Sequence, residues 1–182
     1  MTNLQEQSTS QEDQIIFSNE SHPNVTRINT DPILAVYSLA VGDFNDDSIP
    51  DVVAGSMDTN IYFINGATGT MLYTNTDSAS FVYSLAVGDF NDDSIPDVAA
   101  GSWNGNIYFI DGTTGTTLYT NTDPADRVEN LMVGDFNNDS IPDVAAGSDD
   151  TNIYFIDGAT GTTLYTNTDP TIDVETLAEA WN

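Results

Sequence analysis

The chain has 182 residues, 39% of them hydrophobic, with eight Tyr and eight Phe, enough apolar material for a packed core. Against 29 acidic residues stand two basic ones, Arg27 and Arg127, and the net charge is −27. That balance excludes a DNA or RNA surface, which needs clustered Lys and Arg to displace counterions, and an anionic membrane surface for the same electrostatic reason.

Such self-repulsion must be screened by bulk salt or by bound cations, and both fit an extracellular or cell-surface setting or a high-salt organism. Cysteine is absent, so disulfide and thiol chemistry are too. The first 14 residues, MTNLQEQSTSQEDQ, carry neither a basic n-region nor an apolar h-region. They read as a flexible segment rather than a signal peptide. No run is long enough to span a bilayer.

From residue 15 the sequence is governed by a 46-residue period. Residues 37–82 and 83–128 share 36 of 46 letters, and a third copy, 129–174, follows without a gap. The segment before the first copy, IIFSNESHPNVTRINTD (15–31), keeps the frame: Ile15 falls on Ile61, Phe17 on Phe63, and Asn29-Thr30-Asp31 on Asn75-Thr76-Asp77. Each full copy carries four short apolar runs separated by turn residues. In the first they are YSLAV (37–41), DVVAGS (51–56), NIYFI (60–64) and MLYT (71–74). Aromatic and β-branched residues dominate and no 3.6-residue period is sustained, so each copy reads as a four-stranded antiparallel meander, A-B-C-D.

Four strands at this spacing are the sequence signature of a β-propeller blade. The expected fold is all-β: a half blade with linker at 15–36, blades at 37–82, 83–128 and 129–174, and the start of a further blade at 175–182. The last stretch places Val174-Glu175-Thr176-Leu177-Ala178 on strand A. Strand B of the split blade would fall to Gln5–Ser10, a poor strand sequence. The two halves could meet within one chain as four blades, or between two chains as a homodimer of about eight. Alternatively the chain is a segment of a longer array; the sequence leaves the three open.

Between strands A and B lies VGDFNDDSIPDV (41–52), repeated at 87–98 and as VGDFNNDSIPDV at 133–144. Counting from Asp43, oxygen-bearing side chains fall at positions 1, 3, 5 and 9: Asp43, Asn45, Asp47 and Asp51. Ile49 at position 7 can add its carbonyl. Alternate spacing in a tight loop turns such oxygens toward one centre, the hard shell of six to eight ligands at about 2.3–2.6 Å that calcium prefers. The plain alternative is an Asp/Asn turn bonded to its own backbone. Position 4 changes from Asp46 and Asp92 to Asn138 while positions 1, 3, 5 and 9 do not, and uncompensated carboxylates held together repel. Both points favour calcium. An EF-hand is excluded, because position 12 is Ala54 within a strand rather than a bidentate Glu.

LAVGDFNDDSIPDVVAGS resembles the strand–loop–strand signature of FG-GAP repeats in integrin-α-type propellers, whose loop runs DxDxDGxxD. The resemblance covers nearly the whole chain in three copies. It implies about three calcium ions, one per complete repeat, held by Asp43, Asn45, Asp47, Ile49 (carbonyl) and Asp51. The second set is Asp89, Asn91, Asp93, Ile95 (carbonyl) and Asp97, and the third Asp135, Asn137, Asp139, Ile141 (carbonyl) and Asp143. The sequence departs from that pattern at position 6, where Gly is replaced by Ser48, Ser94 and Ser140. Ser adopts a left-handed backbone only at a cost. The second half of each unit, NIYFIDGTTGTTLYT, is similar to quinoprotein-like propeller repeats, in which the turn is structural; Asp111-Gly112 and Gly115 are read as the C–D turn.

The copies differ mainly at 57–59 and 78–83 and their equivalents, the B–C and D–A connections, which a meander places at the end opposite the acidic loops. Met57, Phe81, Trp103, Arg127 and Asp149 are therefore candidate contacts for a protein or glycan partner, with Trp103 as the anchor. Neutral drift in tolerant loops is the competing explanation. Enzyme classes fare poorly. The one histidine, His22, aligns with a turn Thr and has no counterpart in the other copies, so a Ser-His-Asp triad or zinc site lacks its parts. A glycosidase pair would stand outside the repeat pattern, and no such pair is found. The sequence thus points to a non-catalytic, calcium-binding propeller module for extracellular protein or glycan binding and adhesion. The alternatives are a purely structural repeat of a surface assembly and, less favoured, a carbohydrate-active hydrolase.

Overall fold

The computed structural model describes residues 15–18, 26–29 and 34–168. The expectations for residues 1–14, for strand B at Gln5–Ser10, for His22 and for 169–182 lie outside the described residues. Strands β1 (Ile15–Ser18) and β2 (Thr26–Asn29) pair antiparallel as a two-stranded sheet, with Ile15 opposite Asn29 and Ser18 opposite Thr26. They occupy the segment read as strands C and D of an earlier blade.

Three four-stranded antiparallel sheets follow, each in simple chain order. The first holds β3 (Val36–Gly42), β4 (Asp51–Ser56), β5 (Ile61–Ile64) and β6 (Met71–Asn75). The second holds β7 (Val82–Gly88), β8 (Asp97–Ser102), β9 (Ile107–Ile110) and β10 (Thr117–Asn121). The third holds β11 (Val128–Gly134), β12 (Asp143–Ser148), β13 (Ile153–Ile156) and β14 (Thr163–Asn167). The 46-residue meander is therefore correct, and strands A run one residue longer at each end than the apolar pattern suggested.

In the first two sheets the two middle strands are short runs buried on both faces, whereas β13 of the third sheet alternates half-buried and buried residues. The core sits between sheets. Phe44, Val53, Ile61 and Phe63 of the first sheet pack on Val82, Val98, Ala100, Tyr108 and Ile110 of the second. Phe90, Ile107 and Phe109 repeat this against Val128, Val144 and Ile156 of the third. Within each sheet the loop phenylalanine stands edge-on to that of strand C, Phe44 on Phe63 and Phe90 on Phe109, both at 5.1 Å.

The seam between sheets is also stapled by strand D. The Tyr73 hydroxyl donates to the Gly112 carbonyl, and Tyr119 repeats this to Gly158. Gly115 and Gly161, at φ +72° and +71°, lie against the rings of Tyr73 and Tyr119, so closely that a Cβ at either position would overlap the ring. The equivalent Tyr165 of the third sheet is 50% exposed.

Two register shifts recur in every sheet. Strand A bulges at Tyr37, Tyr83 and Glu129, between Val36/Ser38, Val82/Ser84 and Val128/Asn130. Strand D bulges at Leu72, Leu118 and Leu164, which interrupts its outer edge against further strand pairing.

Candidate functional site

The acidic loops curl because their own side chains bond their backbone. The Asp47 N–H is shared by Asp43 Oδ1 (3.1 Å) and Asn45 Oδ1 (3.0 Å), Ser48 N donates to Asp43 Oδ2 (2.7 Å), and Ile49 N to Asp47 Oδ1 (2.8 Å). The second and third loops repeat each bond, for example Ser94 N to Asp89 Oδ2 at 2.9 Å and Asp139 N to Asn137 Oδ1 at 2.9 Å. Two residues per loop take a left-handed backbone. Position 6 does so as Ser48 (φ 65°), Ser94 (71°) and Ser140 (75°), where the FG-GAP pattern has Gly. Position 4 does so as Asp46, Asp92 and Asn138 (56–63°), a conformation that Asp and Asn tolerate best among non-glycine residues.

The ninth-position carboxylates do something the sequence did not reveal. Asp51, Asp97 and Asp143 are fully buried. Asp97 Oδ2 accepts Phe90 N (2.9 Å) and Asn91 N (3.2 Å), while Oδ1 accepts Gly112 N (2.8 Å) from the C–D turn. Asp51 ties Phe44 N to Gly66 N, and Asp143 ties Phe136 N to Gly158 N, in the same way. Each carboxylate thus clamps the A–B loop to the C–D turn of its own sheet. Gly112 is required there, because a Cβ would overlap the Pro96 carbonyl. Burial, opposed by the N–H bonds from Gly112 and Phe90, pushes the Asp97 carboxyl up to about 6, and Asp51 is raised for the same reason.

The loop side chains fit a hard cation in donor chemistry: carboxylate, amide and carboxylate oxygens at positions 1, 3 and 5, although Asp135 Oδ1 of the third loop already accepts two backbone N–H groups. Position 9 fits less well, since both of its oxygens face backbone donors. Among the described residues no three acidic or histidine side chains already converge as metal ligands do.

At the opposite end of the sheets, four of the five variable-loop candidates come together. Trp103 lies beside Phe81 (6.4 Å between ring centroids), and the Arg127 guanidinium sits 4.8 Å over the Trp103 ring. Arg127 also bridges to Asp149 (2.6 Å) and Glu129 (2.8 Å). Burial works against its charge, but Glu129 and Asp149 hold its pKa above the ordinary value. Met57 holds the place of Trp103 and Asp149 in its own sheet: all three donate backbone N–H groups to the residue ahead of strand A, Ala35, Phe81 and Arg127 respectively.

Three residues at this end escaped the sequence reading: Tyr37, Tyr83 and Glu129. They are the bulged residues of the three A strands, and the bulge re-aims their side chains. Tyr37 stacks on Tyr83 at 4.6 Å with 12° between planes, Tyr83 lies 5.7 Å from Trp103, and Arg127 stands 5.6 Å over Tyr83. The result is a ladder, Tyr37–Tyr83–Arg127, closed by Glu129 and flanked by Trp103. The available signal was the exchange of Tyr for Glu at one repeat position, which falls inside the variable window 78–83 and its equivalents.

The architecture is that of a propeller-like repeat protein, three blades of which lie among the described residues. No model of a known protein family matches the sequence, and no curated protein matches it. Solved structures do. A chain of the Mitotic Checkpoint Complex superposes with a TM-score of 0.69 at 17% identity, over 90% of this chain and 47% of that one. The computationally designed Ika8 protein gives 0.67 at 18% identity, over 96% and 52%, and the designed Ika4 protein 0.66 at 22%, over 82% of each. The WD40 repeats of RRP9 give 0.64 at 17% identity, over 88% and 43%. This chain therefore spans about half the length of three of these four. At such identities the likeness is one of fold alone.

Proposed function

We propose that the chain is a non-catalytic binding module of the propeller type, acting outside the cell, with calcium held in its acidic loops and a protein or glycan partner bound at the opposite end. The observation that carries this reading is the aromatic and charged ladder of Tyr37, Tyr83, Trp103 and Arg127. It is built from the positions where otherwise near-identical repeats differ, on a rigid all-β scaffold. An exposed Trp beside stacked Tyr rings suits an interface and does no bond-breaking chemistry by itself.

Calcium is supported by the donor set, by its threefold recurrence and by the charge it would offset. Asp43, Asn45, Asp47, the Ile49 carbonyl and Asp51, with their equivalents, would hold the ion. When bound, it would supply positive charge to a loop whose carboxylates otherwise repel, adding stability by mass action.

Thermal melts of chelator-treated protein, with millimolar calcium, magnesium or extra sodium chloride, test the metal. The expected result is a calcium-specific rise in Tm, lost when Asp43, Asp89 and Asp135 are replaced by Ala. An equal rise with sodium chloride would reduce the loops to self-bonded turns. Screening glycans and extracellular proteins against wild type and Trp103→Ala tests the partner end. Binders indifferent to Trp103→Ala would favour a purely structural repeat.

A further inference from the structure

The ladder end carries more information than that it binds something. The Tyr83 ring is stacked on Tyr37 and has the Arg127 guanidinium over it. Tyr37, 43% exposed, has only its Tyr83-facing side taken by that stack, and Trp103 is 48% exposed. Around them stand Glu129 and Asp149, bonded to Arg127, then Asp126, which accepts Arg127 N, and Asp150, which accepts Ala125 N. Two carboxylates therefore hold the guanidinium and two more lie in the connections beside it, against one cation, on a chain of net charge −27.

We propose that this end receives a basic polypeptide segment of a partner protein, whose Arg or Lys side chains stack on the exposed face of Tyr37 and beside Trp103. The inference rests on the binding reading above and names the chemistry of the partner. Arg127 displays the mode of recognition within the molecule itself: a guanidinium over Trp103 and Tyr83, held by two carboxylates. The local excess of negative charge attracts a cation and repels an acidic partner, and it speeds encounter at low salt. A neutral sugar is the poorer fit, because the carboxylates nearest the rings are already engaged by Arg127 and are not held out for hydroxyls.

The test uses Trp181→Phe protein, in which Trp103 is the remaining tryptophan and reports on the site by fluorescence. Nona-arginine, nona-lysine and neutral oligosaccharides are titrated at about 0.15 M and 0.5 M sodium chloride, spanning the range over which diffuse attraction is screened. The expected result is a Trp103 signal with the peptides that persists in part at the higher salt. Tyr37→Ala should weaken binding about tenfold or more, whereas Tyr37→Phe, which keeps the ring, should not. Asp46→Asn with Asp92→Asn, at the far end, should change it less than about twofold; Asn138 shows that the loop accepts Asn at that position. Circular dichroism establishes that each variant is folded. Equal loss from the far-end variants, or full affinity in Tyr37→Ala, would overturn the proposal as diffuse attraction to an acidic protein. A Trp103 response to sugars and none to peptides would overturn the cationic partner while leaving the binding module intact.

Discussion

Asn121 reaches across a blade seam and donates Nδ2 to the Gly161 carbonyl, 3.0 Å away, and Asn75 repeats the bond to Gly115 at 2.9 Å. The same amide groups also reach Thr163 Oγ1 and Thr117 Oγ1, which open strand D of the neighbouring sheet, at 3.1 and 3.0 Å. Both asparagines are buried, so no water replaces the lost partner if one is removed.

Asn121→Ala is accordingly expected to destabilise the protein by about 1–3 kcal/mol, since it strands the Gly161 carbonyl in a buried seam. Asn121→Asp should cost more, because an acceptor then faces an acceptor. Urea midpoints at constant slope measure both. A change within about 0.3 kcal/mol for Asn121→Ala would mean that the seam is held by its apolar contacts alone.

The B–C turns offer a stabilising substitution. Thr59 and Thr151 sit at φ +73° and +71°, a region costly for β-branched residues, whereas the second sheet places Gly105 there at +85°. Thr59→Gly and Thr151→Gly should each raise stability by about 0.5–1 kcal/mol. That figure is the relief of left-handed strain less the greater chain entropy of an unfolded glycine. Unchanged or lower melting temperatures would show that the threonine side chains make compensating contacts.

Metal-free protein should become more stable as pH falls from about 7 toward 5. The folded-state pKa of Asp97 is about 6 against an ordinary 3.8, so between those values the folded chain binds more protons than the unfolded one. The contribution is present in full below the unfolded value and is lost as pH rises through the folded one. Asp51 acts in the same direction. Asp150, lowered by bonds from Tyr154 and backbone N–H groups against the burial that raises it, contributes the opposite sign, in a window below 3.8. Chelator-treated protein compared at pH 5 and 7.5 in urea should show the trend, with a flatter profile in Asp97→Asn. A profile unchanged by Asp97→Asn would assign it to relief of general repulsion.

Much of this was legible in the sequence for a physical reason. Short apolar runs and turn residues recur every 46 positions, so Ile61, Ile107 and Ile153 announce the same strand three times. The acidic loop was readable as a tight turn, because Asp and Asn side chains such as Asp43, Asn45 and Asp47 accept backbone N–H groups a few residues on. What could not be read was direction. Asp51 has the same chemistry as Asp43, and only the fold shows that it faces the N–H groups of Phe44 and Gly66. Tyr37, Tyr83 and Glu129 were hidden because a bulge is a property of register between two strands, and one strand's letters do not record it. Arg127 stood out as a rare cation, yet its bond to Asp149 spans 22 residues and joins two connections that only the meander brings together.

The seams have an evolutionary consequence. Each interior blade presents Phe, Tyr and Asn on one side and two turn glycines on the other, and these recur at the same 46-residue spacing. A tandem duplication of any 46-residue window, whatever residue it starts from, regenerates both sides in register. An array built this way can lengthen or shorten by whole blades, or be circularly permuted, without redesigning a single junction.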